Sequence, residues 1–418
     1  MRLVVANYRY FVSGGPERYM FNVMDALAAR GHECVPFSIR YDRNRPSLWA
    51  DYFVPPLSGS GEVYFRDHGL RPGAVLRTVS RLFYSPEVRR AASRLAKDSG
   101  AQAAYVLHYL RKLSPSLLAG FKDQGLPVVV RVSDFGMLCP QAHCLRGGTP
   151  CTLCAMGRLG PSVRHRCVQG SLGASALNAL ATWWHRKRGF FDLVDRFVTT
   201  TAFMRSMMLE AGFPAEKVVH IPTFVDTAAF SPGQRRDEPG RAIFVGRLDP
   251  LKGVDVLLEA MGLLGDSAPL LDVVGTGDEA YVAALKQRAR ALGLESRVRF
   301  LGRVEPERIP DLLREALFSV VPSRWFENLP NAVLESHASA TPVIASDMGS
   351  LPECVTHGET GLLVPPGDAS ALAEALRTLA AAPDRAREMG RRCREYALEA
   401  YGPDAHLNAL GTLFNEAM

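Results

Sequence analysis

Short apolar runs recur along the chain, each followed by a longer stretch whose apolar residues return every three or four positions. Runs of four to six such residues suit strands, and the wider spacing suits helices laid over them. In the first half the runs are "RLVVAN" (2–7), "PVVVRVS" (127–133), "VDRFVTT" (194–200) and "KVVHIP" (217–222). After the first of these, "PERYMFNVMDALAARGHE" sets Met20, Met24, Leu27 and Ala28 on one helical face, and Gly31 marks its stop. A stretch near 223–240, rich in Pro, Gly and charge, interrupts the pattern. It then restarts with "AIFVG", "LDVVG", "VRFLG", "FSVVPS", "PVIAS" and "GLLVP", with helical segments between. Strands that are apolar throughout belong to parallel sheets covered on both faces. The pattern therefore predicts an α/β chain of two doubly wound domains joined by a linker.

Composition narrows the partners. The chain has 418 residues, 47% hydrophobic and 22% charged, with a net charge of +6. That charge suits an anionic small molecule or a lipid headgroup and is too modest for nucleic acid. The apolar runs are strand-length, so no transmembrane helix is expected, and "MRLVVANYRYF" is too short in apolar residues for a signal peptide. The expected location is cytoplasmic, with peripheral contact to the inner face of the plasma membrane as an option. The eight cysteines are then expected to be mostly reduced.

Candidate chemistry gathers at the ends of the predicted strands. "FVGRLDPLKGVDVLLEA" (244–260) reads as strand, turn and helix, with Arg247 and Lys252 on the turn. Parallel sheets place such turns where ligands bind, and a helix start with two cations suits a diphosphate. Gly275 and Gly277 in "VVGTGDE" permit close approach of a backbone, as do Gly14 and Gly15 in "YFVSGGPERYMFN". For each glycine pair a plain tight turn is the alternative. "SRWFENLPNAVLES" (323–336) adds two carboxylates, Glu327 among apolar residues and Glu335 inside a predicted helix. Ordinary explanations for these two are an Arg324 partner and a solvated helix acid.

Taken in order, "VGRLDPLKG", "VVGTGDE", "RVRFLGRV" and "VVPSRWFENLPNAVLESHASATPVIASDMGSLPECVTHGETGLLVPPGD" resemble the family-4 nucleotide-sugar glycosyltransferases, most strongly over 241–370. The resemblance implies a GT-B fold of two Rossmann-like domains facing across a cleft. It divides the chain into 1–222 on the acceptor side, with a Cys-rich insertion at 139–167, then 223–400 for the donor. A helix over 401–418 returns to the first domain. It further implies retaining, metal-independent transfer from a UDP- or GDP-sugar to a hydroxyl of a saccharide, lipid-linked or small-molecule acceptor. Arg247 and Lys252 would stabilise the departing diphosphate, Glu327 would accept from donor-sugar hydroxyls and Glu335 from the ribose. Gly14, Gly15, Gly275, Gly277, Arg303, Val304, Asn328 and Leu329 would line the nucleotide sugar. The chain departs from the family at Thr223, where Asn is usual, and at Ser133-Asp134, where His-Asp is frequent. His108 in "YVLHYL" is another cleft candidate, although a histidine in an apolar strand is more often packed in a core. The Ser133 departure leaves a silent sugar-nucleotide binder as an alternative, and an epimerase on the same donor is a second.

Two segments stand apart. Cys139, Cys144, Cys151, Cys154 and Cys167 crowd a polar, glycine-bearing loop, with His143 among them, so four of the five cysteines are candidates for a structural zinc. Between Phe135 and Phe191 there is no Asp or Glu, while Arg158, Arg164, Arg166, Arg186, Lys187 and Arg188 lie within. Leu172, Ala176, Leu180 and Trp183-Trp184 form an apolar helical stripe there. The stripe either packs on the first domain, the reading favoured by sequence alone, or meets anionic lipid.

Overall fold

The computed structural model describes residues 1–57, 72–233 and 241–418, so part of the predicted linker, 234–240, lies outside the described residues. The first half forms β1 (Arg2–Asn7), β2 (Glu33–Phe37), β3 (Ala103–His108), β4 (Val128–Val132), the short β5 (Leu145–Arg146) and β6 (Thr149–Pro150), β7 (Arg196–Thr199) and β8 (Val218–His220). Six of these make a parallel sheet in the order β2-β1-β3-β4-β7-β8, and β5 and β6 pair as a small antiparallel ribbon. The second half forms β9 (Arg241–Val245), β10 (Leu270–Val274), β11 (Val298–Gly302), β12 (Ala316–Val321), β13 (Val343–Ser346) and β14 (Gly361–Val364). These join in parallel in the order β11-β10-β9-β12-β13-β14. The doubly wound α/β expectation holds in both halves.

Each sheet reverses its strand order once, between β1 and β3 and between β9 and β12. A crevice opens at such a point because the flanking connections leave toward opposite faces. Register aligns Val4 with Val35 and Ala104, so the apolar strand residues stack in rows on each face. One face of the first sheet buries Val4, Ala6, Phe37, Val106 and Val130 under the intervening helices. On the other, Leu3, Val5, Tyr105 and Val129 pack with Leu407, Leu410, Leu413 and Phe414 of the last helix, Pro403–Ala417. The end of the chain thus covers the sheet formed by its beginning. Tyr19 Oη bonds His406 Nε2 at 2.8 Å across that contact.

The helix Gly15–Ala29 buries Met20, Val23 and Leu27, while Ala28 is exposed, so the face is rotated slightly from the predicted one. No helix among the described residues is long and apolar enough to cross a membrane.

Candidate active site

The connection from β9 runs through a tight turn, Pro250–Lys252, which Asp249 caps by accepting the Leu251 N–H at 3.0 Å. Gly253 follows in the left-handed region, and a Cβ there would stand 2.0 Å from the Pro322 carbonyl oxygen. Only glycine permits that approach. The turn carries Lys252 to the loop after β12, where its Nζ donates to Glu327 Oε1 at 2.6 Å. The same oxygen accepts from Ser323 Oγ at 2.6 Å and Trp325 Nε1 at 2.8 Å. Burial pushes the Glu327 carboxyl up, but the Lys252 charge and these donors outweigh it and hold it below its usual value. Arg324, the partner considered from sequence, instead bonds the Pro250 carbonyl and pairs with Asp255.

Glu335 lies in the helix Asn331–Ala338 and is buried, which excludes the solvated-acid reading. Its Oε1 accepts from Arg18 Nη1 at 2.7 Å, across the cleft. Here burial prevails: the carboxyl is raised despite Arg18. The two acids are therefore electrostatic opposites, one over-solvated by donors and one under-solvated. Gly15 faces the start of the Glu335 helix, since a Cβ on it would stand 3.5 Å from Asn331 Nδ2, whereas one on Gly14 would meet Glu17 at 3.7 Å. Arg18 escaped the sequence reading, and its one signal is a cation in the turn after a glycine pair.

Other predicted residues have mixed placements. Gly275 and Gly277 face backbone: added Cβ atoms would meet the carbonyls of Gly246 and Leu248, each at 1.8 Å. Packing of two loops therefore accounts for these glycines without a ligand. Arg247 is 63% exposed, its nearest acid being Asp249 at 3.4 Å. Arg303 is exposed; Val304 and Leu329 are half-buried against neighbouring apolar clusters. Asn328 joins the domains, donating to the Val132 carbonyl at 3.0 Å and accepting from Thr200 Oγ1 at 2.8 Å.

At the carboxyl ends of β3 and β4, His108, Arg131, Ser133 and Asp134 line one cavity. His108 is not core packing: its Nε2 meets Asp134 Oδ2 at 2.7 Å. Burial raises the Asp134 carboxyl, but His108, Arg111 and the Gly136 N–H together bring it down to about 2. Nδ1 of His108 is buried without a hydrogen-bond partner. Ser133 Oγ is engaged, accepting from Arg131 at 2.9 Å and donating to the Leu107 carbonyl at 3.2 Å. Thr223 accepts from Arg131 at 2.6 Å, which gives the other departure a structural role.

Residues 226–399 match the family described as glycosyl transferases group 1, and residues 14–223 match the glycosyl transferase 4-like domain. The chain belongs to this glycosyltransferase family. It is 33% identical over 390 residues to a phosphatidyl-myo-inositol mannosyltransferase of Mycobacterium leprae, covering 90% of this chain and 86% of that one. It is 36% identical over 220 residues to a D-inositol 3-phosphate glycosyltransferase of Nocardia farcinica, covering 49% of each. The chain thus spans about half the length of that curated relative. Among solved structures, Anabaena Alr3699/HepE in complex with UDP shares the fold, with a TM-score of 0.69 at 17% identity over 99% of both chains.

In this family member the cysteine loop folds against the first domain. Cys139, Cys151, Cys154, Cys167 and His165 line one cavity, whereas His143 turns to Trp325. The Cys144 thiol beside Cys139 lowers the latter to about 6. Among the described residues no three His, Cys, Asp or Glu side chains are placed to hold a metal ion as they stand.

Proposed function

We propose that this chain is a retaining glycosyltransferase, moving a sugar from a nucleoside-diphosphate sugar to a hydroxyl acceptor. The observation that carries the reading is the pairing of Lys252 with buried Glu327 opposite Arg18 and Glu335 at the crevice. A buried acid with a fixed cation offers both charge for a phosphate and acceptors for hydroxyls. In this reading Arg247 and Lys252 take the diphosphate, Glu327 a donor-sugar hydroxyl and Glu335 the ribose. Gly14, Gly15, Gly275, Gly277, Arg303, Val304, Asn328 and Leu329 surround the donor. Arg18 must turn from Glu335 when ribose arrives, and its charge is then free for the phosphates.

The bond from the sugar's anomeric carbon to phosphate oxygen breaks as the bond to the acceptor oxygen forms on the same face. The acceptor's proton passes to the departing phosphate. The Anabaena complex with UDP supports a nucleoside-diphosphate sugar as donor, a UDP- or GDP-sugar in this reading, and the name of the Mycobacterium relative supports transfer of a sugar. The test is incubation of the purified chain with UDP- and GDP-sugars and inositol-containing acceptors. A product with the donor's anomeric configuration sustains the reading. Epimerised donor, or binding without turnover, replaces it with one of the two alternatives.

A further inference from the structure

The helix Leu172–Lys187 is turned the wrong way round for a globular surface. Its buried residues are Ser175, Ala179, Ala181, Thr182 and His185, all small or polar. Ser175 Oγ accepts the Val168 N–H and Thr182 donates to the Asn178 carbonyl, so the two inward hydroxyls find partners. Facing out are Leu172, Ala176, Leu180, Trp183 and Lys187, spaced three or four apart on a single face. Leu172 is 54% exposed, Leu180 52% and Trp183 48%. Contrary to the favoured sequence expectation, Leu172, Ala176, Leu180 and Trp183 of the stripe do not pack on the first domain, while Trp184 is half-buried. The helix Pro72–Phe83 packs beside it and exposes Leu76 at 72% and also Val79. The cysteine loop contributes Leu153 and Met156, both exposed. Seven of the twelve large hydrophobic side chains exposed among the described residues therefore fall in these three segments.

Charge identifies what covers them. No acid occurs between Phe135 and Phe191, and Arg158, Arg164, Arg166, Lys187 and Arg188 are all exposed there. Arg188 lies over the Trp184 ring at 4.3 Å, at the end of the stripe. An apolar strip ending in tryptophan and bordered by cations complements a layer with an apolar interior and an anionic face. We infer that this surface docks the chain on an anionic lipid bilayer, with the Leu172–Lys187 helix lying in the interface. The inference does not depend on the transferase reading, because docking needs neither donor nor turnover.

The experiment is co-sedimentation of the full chain with vesicles of phosphatidylcholine alone, or with about one-third phosphatidylglycerol. We expect at least about tenfold stronger partition to the anionic vesicles, weakening as salt rises from roughly 0.1 to 0.5 M. The double variants Leu180→Ser/Trp183→Ser and Lys187→Glu/Arg188→Glu should each lose about tenfold in partition with unchanged melting temperature. Tryptophan emission should shift to the blue on anionic vesicles, and less so in Trp183→Phe. Wild-type protein that ignores anionic vesicles, or variants that bind as wild type, would overturn the inference. So would self-association abolished by Leu180→Ser without vesicle binding, which would assign the surface to a second copy.

Discussion

At the scale of single residues, the two buried acids make opposite demands on the fold. Glu327 has a carboxyl held below its usual value, so its stabilisation is present above the unfolded pKa and lost as pH falls through the folded one. Replacing it by Gln removes the charge that Lys252, Ser323 and Trp325 surround. Glu327→Gln should therefore lower stability near pH 7, by about 1.5–3 kcal/mol for charged hydrogen bonds, measured by denaturant unfolding. Glu335 is raised by burial, so its ionisation works against folding as pH rises above the unfolded pKa. Glu335→Gln should leave stability unchanged or improved while weakening the bare nucleoside diphosphate by about 1–3 kcal/mol in calorimetric titration. That is the pattern of a residue kept for binding at a cost to the fold. If Glu335→Gln instead destabilises as much as Glu327→Gln, Arg18 is a structural partner and the ribose assignment fails. A second contrast concerns His108 and Ser133. Nε2 of His108 faces Asp134 while Nδ1 is buried with no partner, so one ring nitrogen of the imidazole is left for a ligand. Ser133 already has two partners. His108→Ala should cut kcat for transfer by about tenfold or more, whereas Ser133→Ala should cost little. Equal losses would mean that the cavity acts only through packing.

At the scale of elements, what sequence reveals depends on whether the deciding interaction is local. Uninterrupted apolar runs such as 242–245 became strands because a covered parallel sheet asks only for apolar, strand-forming residues. The strand β2, "ECVPF", escapes that rule: Pro36 and Glu33 break the run, and both are tolerated because β2 is an edge strand. The glycines of "GTG" were legible as necessary, but the carbonyls they avoid belong to a loop some thirty residues earlier. Arg18 and Glu335 lie 317 residues apart, so no window of sequence pairs them. The helix Leu172–Lys187 is the sharpest case, since periodicity finds its stripe and cannot say whether the stripe faces inward. The cysteine loop is similar: spacing collects thiols, and only the fold shows four of them around one cavity without a ready metal geometry. A structural zinc there requires side chains to turn. It predicts about one zinc per chain by elemental analysis, lost with thermal stability in Cys151→Ser/Cys154→Ser. A zinc-free chain that folds normally would leave the thiols as packing residues.

At the scale of the whole molecule, polar contacts and an aromatic pair hold the cleft shut, and a donor must work around them. Arg18 meets Glu335, Asn328 bridges to Val132 and Thr200, and Phe326 sits against Phe203 with ring centroids 5.1 Å apart. The last contact is Glu353, whose carboxylate accepts the Ala202 N–H at 2.7 Å and also the Phe203 N–H. Those N–H groups begin the helix Ala202–Glu210 in the first domain, whereas Glu353 comes from the second. An anion at a helix start is favoured, and removing it leaves two donors to water once the cleft opens. Glu353→Ala should therefore shift the ligand-free chain toward an open arrangement, by about 1–3 kcal/mol. Small-angle scattering should report a larger radius of gyration without ligand and recovery toward the wild-type value at saturating nucleoside diphosphate. Transfer should lose kcat/KM, because closure must then be driven by the donor's binding energy, as a fraction closed that lowers apparent affinity. Intrinsic contacts to the nucleotide are untouched, so a donor concentration high enough to close the cleft should restore most of kcat. Scattering identical to wild type, or a kcat loss that no donor concentration relieves, would show that Glu353 acts on local helix stability and not on closure.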